Sequence, residues 1–195
     1  MLALAPLFSF AQGEKKTDAP FKNTCTKTNF FPFLKKGYRP QIAAALVGGV
    51  QMNNTEFDET TSLMGVELSL QCPLLCTRKN YIRQQLSITQ SDGSQLHFTN
   101  IELNPHYRLK VTKAFELSAG PGFGVSFVKV GNASTSLFTY GVGASAQYYF
   151  KKVFVAVEPR YMLTDDVKMS TQADGLLYSG NFNSLKVLAK VGLRF

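Results

Sequence analysis

The chain has 195 residues, of which 45% are apolar and only 17% charged, below the roughly 25% charge usual in soluble domains, and its length suits one domain with a sizeable core. Its 16 Phe and 8 Tyr exclude disorder over most of the length, and its longest apolar run, the nine residues Ile42 to Val50, is too short for a membrane-crossing helix. The formal charge of +8 admits nucleic acid or an anionic membrane surface as partner without choosing between them, and three cysteines are too few for a disulfide scaffold.

Residues 1–11, MLALAPLFSFA, form an apolar run closed by the small residues Ser9 and Ala11 before Gln12. That pattern predicts a secretory signal peptide. A basic segment follows at residues 12–38, where Lys15, Lys16, Lys22, Lys27, Lys35 and Lys36 outnumber Glu14 and Asp18 and are joined by Phe30, Phe31 and Phe33. An exported segment of this kind suits an anionic membrane surface, with the aromatics as anchors, or a plain solvated tail, better than nucleic acid. Cys25 is not preceded by a lipoprotein box, so no lipid anchor is expected.

From about residue 39 to residue 195 the period is two, the signature of half-buried strands. Ile42 to Met52 is small and apolar on both faces. Met64, Val66, Leu68 and Leu70 then alternate with Gly65, Glu67, Ser69 and Gln71. Ile82, Leu86 and Ile88 oppose Arg83, Ser87 and Thr89, and Ile101, Leu103, Tyr107 and Leu109 oppose Glu102, Asn104, His106 and Arg108. In that last segment Leu96 and Phe98 fall on the polar side, which points to a bulge or to the end of an apolar band. Further on, Phe115 to Phe127 alternates with Glu116, Ser118 and four glycine or serine positions, and Phe138 to Phe150 does the same with Gly141, Gly143, Ser145 and Gln147. Val153, Val155 and Val157 oppose Ala156, Glu158 and Arg160. The last strand is the plainest, with Leu185, Val187, Ala189, Val191, Leu193 and Phe195 on one face and Lys186, Lys190 and Arg194 on the other. The sum is eight strands of about ten residues, an all-β chain.

Three features favour an eight-stranded antiparallel up-and-down transmembrane β-barrel over a soluble sandwich. One face is almost free of charge along every strand, with Phe and Tyr near the strand ends, as in an apolar band between aromatic girdles. The other face carries Glu67, Arg83, Glu102, Arg108, Glu116, Glu158, Arg160, Lys186, Lys190 and Arg194 among glycines that leave room for long side chains. The connections also alternate in kind. Cys72–Asn80, Val111–Ala114 and Phe150–Lys152 carry Lys or Arg, whereas Asn53–Thr60, Ser91–Ser94, Lys129–Ser136 and Thr164–Ser184 hold Glu56, Asp58, Glu59, Asp92, Asp165, Asp166 and Asp174. With the N-terminus in the periplasm the first set lies there and the second outside.

These residues resemble the small eight-stranded outer-membrane barrels of the OmpA/OmpX type, the outer membrane protein beta-barrel domain family, over about residues 39 to 195. The resemblance implies the cell outer membrane as location and outer-membrane lipid as partner. It also implies that Val187, Ala189, Val191, Leu193 and Phe195 form the signal read by the barrel-assembly machinery. An aromatic often stands at the position of Leu193 in that family.

The charged residues are expected to fill the lumen as a salt-bridged plug, with Glu158 and Lys190 paired, rather than to line a pore, because eight strands enclose little more than side chains. Cys25, Cys72 and Cys76 would share the periplasmic side, where one bridge is allowed. His97, followed by Thr99 and Glu102, resembles the His-x-Ser of outer-membrane lipid A deacylases, with Thr in place of Ser. His106 belongs to the polar face. We assign no catalytic, cofactor or metal residue, and no nucleic-acid partner. The expected role is structural, adhesive or defensive, carried by outer loops whose partner the sequence does not name. A small pore, a lipid-modifying enzyme and a soluble lipocalin-like carrier are the alternatives. The last would need an apolar lumen.

Overall fold

The computed structural model describes residues 40–54, 59–76, 80–94, 96–131, 133–170 and 177–195. The expected signal peptide and the basic N-terminal segment, with Cys25, lie outside them.

Seven long strands follow one another: β1 (Ile42–Asn53), β2 (Thr60–Cys76), β3 (Asn80–Asp92), β4 (Leu96–Lys110), β5 (Phe115–Val130), β6 (Ala133–Phe150) and β7 (Val153–Thr164). After them come two short strands, β8 (Val167–Ser170) and β9 (Leu177–Gly180), and the last long one, β10 (Ser184–Arg194). The eight long strands close into an antiparallel barrel in the order β1-β10-β7-β6-β5-β4-β3-β2, while β8 and β9 pair with each other. Closure comes from β1 against β10, in register from Ala43↔Arg194 to Asn53↔Ser184. It leaves no open edge among the eight barrel strands. We call the end that holds Gln41 and Phe195 proximal and the other distal.

The walls follow from the period. Leu46, Met64, Leu68, Val142, Val157 and Val191 point outward and are each at least half exposed. Along β10 the outward set Leu185–Phe195 spans ten residues of rise, about 25 Å once a tilt near 40° is allowed for. Tyr107, Tyr148, Phe150 and Phe195 ring the proximal margin of this band, and Phe127, Phe138, Tyr140 and Tyr161 its distal margin. Lys190 is 2% exposed and faces the axis. Slipping β10 by one residue would turn it outward and cost roughly 2–4 kcal/mol in a bilayer.

Of the two readings of the break near residue 100, a bulge or the end of the apolar band, β4 has no bulge. Its ladder with β3 runs unbroken from Asn80↔Leu109 to Asp92↔His97, and Leu96 and Phe98 face inward like every even-numbered neighbour. They join Val128, Leu137 and Phe182 in a buried apolar cluster at the distal end, with Phe98 edge-on to Phe182 at a ring separation of 6.0 Å. The alternation persists there, but its meaning reverses. On β4 to β6 beyond the band the outside is largely polar and the inside apolar, as in a soluble β-protein.

Other connections also differ from expectation. β2 continues to Cys76, past a register shift after Gln71, so most of the Cys72–Asn80 stretch is strand rather than turn. The stretch Lys129–Ser136 is not a loop: β5 and β6 stay paired out to Val130↔Ala133 and turn tightly at Gly131, whose φ of 55° suits glycine. The long connection after β7 contains the β8–β9 hairpin. At the proximal end the Thr112 Oγ1 accepts from the backbone N–H groups of Ala114 and Phe115, at 3.2 and 3.0 Å, and so closes the β4–β5 turn.

Candidate functional site

The lumen is filled by charge. Its central layer is organised by Arg160 on β7, 1% exposed. Nη1 donates to Glu102 Oε2 at 2.7 Å on β4 and to Ser87 Oγ at 3.1 Å on β3. Nη2 reaches Glu67 Oε2 at 3.1 Å on β2, and Nε pairs with Glu158 on its own strand. β3 stands opposite β7 in the barrel order, so this one side chain bridges the full bore. Lys190 donates to Glu67 Oε2 at 2.5 Å and to Glu158 Oε2 at 2.6 Å, and Lys186 pairs with Glu102. Three carboxylates thus meet three cations, and the layer is neutral.

A glycine makes room for it. A β-carbon at Gly143 would lie 3.1 Å from Arg160 Cγ and 3.3 Å from His106 Nε2. His106 itself is fully buried, with Nδ1 3.2 Å from Ser118 Oγ and Nε2 3.9 Å from Glu158 Oε1. It is a neighbour of the network rather than an exposed reactive group.

A second layer lies toward the proximal end. Glu116 accepts from the hydroxyls of Tyr81 at 2.7 Å and Tyr149 at 3.1 Å, and Arg108 Nη1 lies 3.5 Å from the same oxygen while also bonding Gln147. Arg83 donates to Ser69 Oγ at 3.3 Å and Gln41 Oε1 at 3.5 Å. Arg194, expected inside, sits half-buried at the rim. Its guanidinium lies 4.3 Å over the Tyr149 ring and donates to the Lys151 carbonyl. The last outward position before the chain end, so close to the proximal margin, leaves its long neighbour at the mouth rather than in the bore. Tyr81, Tyr149, Gln147 and Ser87 have the inward parity of the charged residues, and that parity is the only sequence signal that marks them.

The remaining expected sites disperse. Val187, Ala189, Val191, Leu193 and Phe195 line the outward face of β10, and the Phe195 N–H bonds the Ile42 carbonyl at 2.8 Å. Cys72 is buried and bridged to no other cysteine among the described residues, and Cys25 lies outside them. The deacylase-like grouping is split by the wall. His97 and Thr99 face outward, whereas Glu102 is held inside by Arg160 and Lys186. His97 Nδ1 lies 3.1 Å from Asp92 Oδ1, across the β3–β4 hairpin.

This is the fold of the small eight-stranded outer-membrane barrels. Among solved structures the chain is similar to Ail, the attachment invasion locus protein of Yersinia pestis, at 11% identity and a TM-score of 0.50, covering 80% of this chain and 97% of that one. It is similar in the same degree to Neisserial surface protein A, at 11% identity and a TM-score of 0.50, covering 80% of this chain and 95% of the other. Both likenesses are of fold. No family model matches the sequence, and neither does any curated protein.

Proposed function

We propose that the chain is an integral outer-membrane barrel that performs no chemistry and conducts no ions, and whose role is structural, adhesive or defensive and is carried by its distal loops. The observation that carries the sealed reading is the bridged lumen. Arg160 ties β7 to β2, β3 and β4, and the Leu96–Phe98–Phe182 cluster packs inside the distal end above it. An ion would have to break a neutral, fully paired layer of charge to pass. Membrane placement is supported by the outer wall, which carries no charged side chain within the band among the described residues. The N-terminus is then periplasmic and the β8–β9 hairpin external.

The test is twofold. The folded barrel should be recovered in the outer-membrane fraction and migrate faster on a gel before boiling than after. Reconstituted in planar bilayers, it should be electrically silent. Regular unitary conductance steps would overturn the sealed reading and leave a small pore in its place.

A further inference from the structure

Among the described residues the bore buries four carboxylates and five cations. The Arg160 layer takes three of each, and Glu116 takes Arg108. The cation left over is Arg83 on β3, which is 0% exposed. It makes no ion pair among the described residues. Its two bonds go to neutral groups, Ser69 Oγ at 3.3 Å and Gln41 Oε1 at 3.5 Å, and its Nε–H has no acceptor. A cation taken out of water without a counter-charge is heavily penalised. Donors are in excess at the same level. Gln85, two residues along β3 on the same face, makes no hydrogen bond at either end of its amide. Its cross-strand partner on β4, Asn104, has an Nδ2 without an acceptor. Both are at most 1% exposed, and buried donors of this kind ordinarily find a partner.

We propose that the bore holds one monovalent anion of halide size at Arg83, bound to Nε and to the side-chain amides of Gln85 and Asn104. An anion accepts hydrogen bonds and brings no donor, so it answers the surplus of charge and the surplus of donors together. One negative charge makes the bore neutral, whereas a divalent oxyanion would overshoot. The burial of all three side chains suits a single compact ion and not a substrate. Entry is from the proximal end. There the β2–β3 ladder shifts register between Gln71, the partner of Arg83, and Cys76. The Arg160 layer bars the way onward, so the site is a dead end and not a stage of a conduction path. Its effect is to make the stability of the barrel depend on the halide around it.

The test uses the full chain folded in lipid vesicles and unfolded with urea, scored by unboiled gel migration. Bromide is the probe, exchanged for gluconate at constant ionic strength. Above the dissociation constant, each tenfold rise in bromide should lower the wild-type unfolding constant about tenfold, as for one ion bound by the folded state alone. Arg83→Met should abolish that dependence and be no less stable than wild type in gluconate, because it removes the unpaired charge. Lys113→Gln, on the proximal turn, should keep the dependence, which separates a bound ion from screening of surface charge. Crystals of the wild-type barrel grown in bromide should show an anomalous peak within hydrogen-bonding reach of Arg83 Nε, and this map decides the matter if Arg83→Met fails to fold. A wild-type barrel indifferent to bromide, a dependence unchanged in Arg83→Met, or peaks at surface cations alone (an adventitious ion only) overturns the site. The planar-bilayer record is silent in all of these cases, so the sealed reading stands or falls separately.

Discussion

Replacing Arg160 by Met tests the central claim about the lumen. The substitution conserves most of the volume and removes the guanidinium that reaches Glu67, Glu102, Glu158 and Ser87. Glu67, Glu102 and Glu158 are then left with Lys186 and Lys190 alone, one uncompensated charge in a layer whose members are all at most 3% exposed. Breaking a buried pair by deleting one partner costs about 3–5 kcal/mol, most of it the penalty of the charge left behind. The double substitution Arg160→Met, Glu158→Gln restores neutrality, because Lys190 keeps Glu67 and Lys186 keeps Glu102. It should recover at least about half of the loss, since the two residues share one network and their effects do not add. The assay is urea unfolding of the barrel from lipid vesicles, scored by unboiled gel migration, because the chain has no Trp for indole fluorescence. A single variant within about 1 kcal/mol of wild type would refute the reasoning, as would a double variant no more stable than the single.

Four further outcomes follow from the same geometry. Leu46→Arg, at an outward position 71% exposed in mid-band, should cost roughly 2–4 kcal/mol of stability in vesicles, whereas Gln90→Arg beyond the band should cost at most about 1 kcal/mol in the same unfolding assay. Phe182→Ala removes the ring that meets Phe98 edge-on and should lower stability by about 3 kcal/mol, yet planar bilayers should stay silent because the charged layer below still seals the bore. Gly143→Leu drives a side chain toward Arg160 and His106 and should cost about 1–3 kcal/mol, measured by the same urea titration. Phe195→Ala should sharply reduce the barrel recovered from cells while leaving refolding into vesicles in vitro nearly unchanged, which separates recognition during assembly from stability.

Legibility tracked how local the governing physics is. The register of β10 is plain in the sequence because six consecutive outward positions are apolar and a single slip would bury Lys190 in lipid. Glu158 and Lys190 could be matched because β7 and β10 are joined by one connection. The reach of Arg160 to Glu67 could not, since the two are 93 residues apart and meet only when the barrel closes. Leu96 and Phe98 look misplaced in a one-dimensional pattern, because the pattern records parity and not which solvent lies on each side. Once β4 leaves the band, the same parity serves a water-facing outside. The β8–β9 hairpin escaped notice for another reason: its strands are four residues long and carry no alternation strong enough to stand out from a polar loop. The grouping of His97, Thr99 and Glu102 shows the converse error, in which sequence proximity suggests a site that the pleat of β4 distributes to opposite sides of the wall.

The reversal of the two walls at the distal margin has a mechanical consequence in the membrane. A cylinder greasy over its whole outer length could ride higher or lower as the surrounding lipid thickened or thinned. Here a shift of two cross-strand rows, about 10 Å, would drag Asp92 and Lys129 into oil, and a shift the other way would strand Ile88 and Phe138 in water. The molecule therefore carries its own waterline, and when bilayer thickness changes it is the lipid that has to deform to meet it.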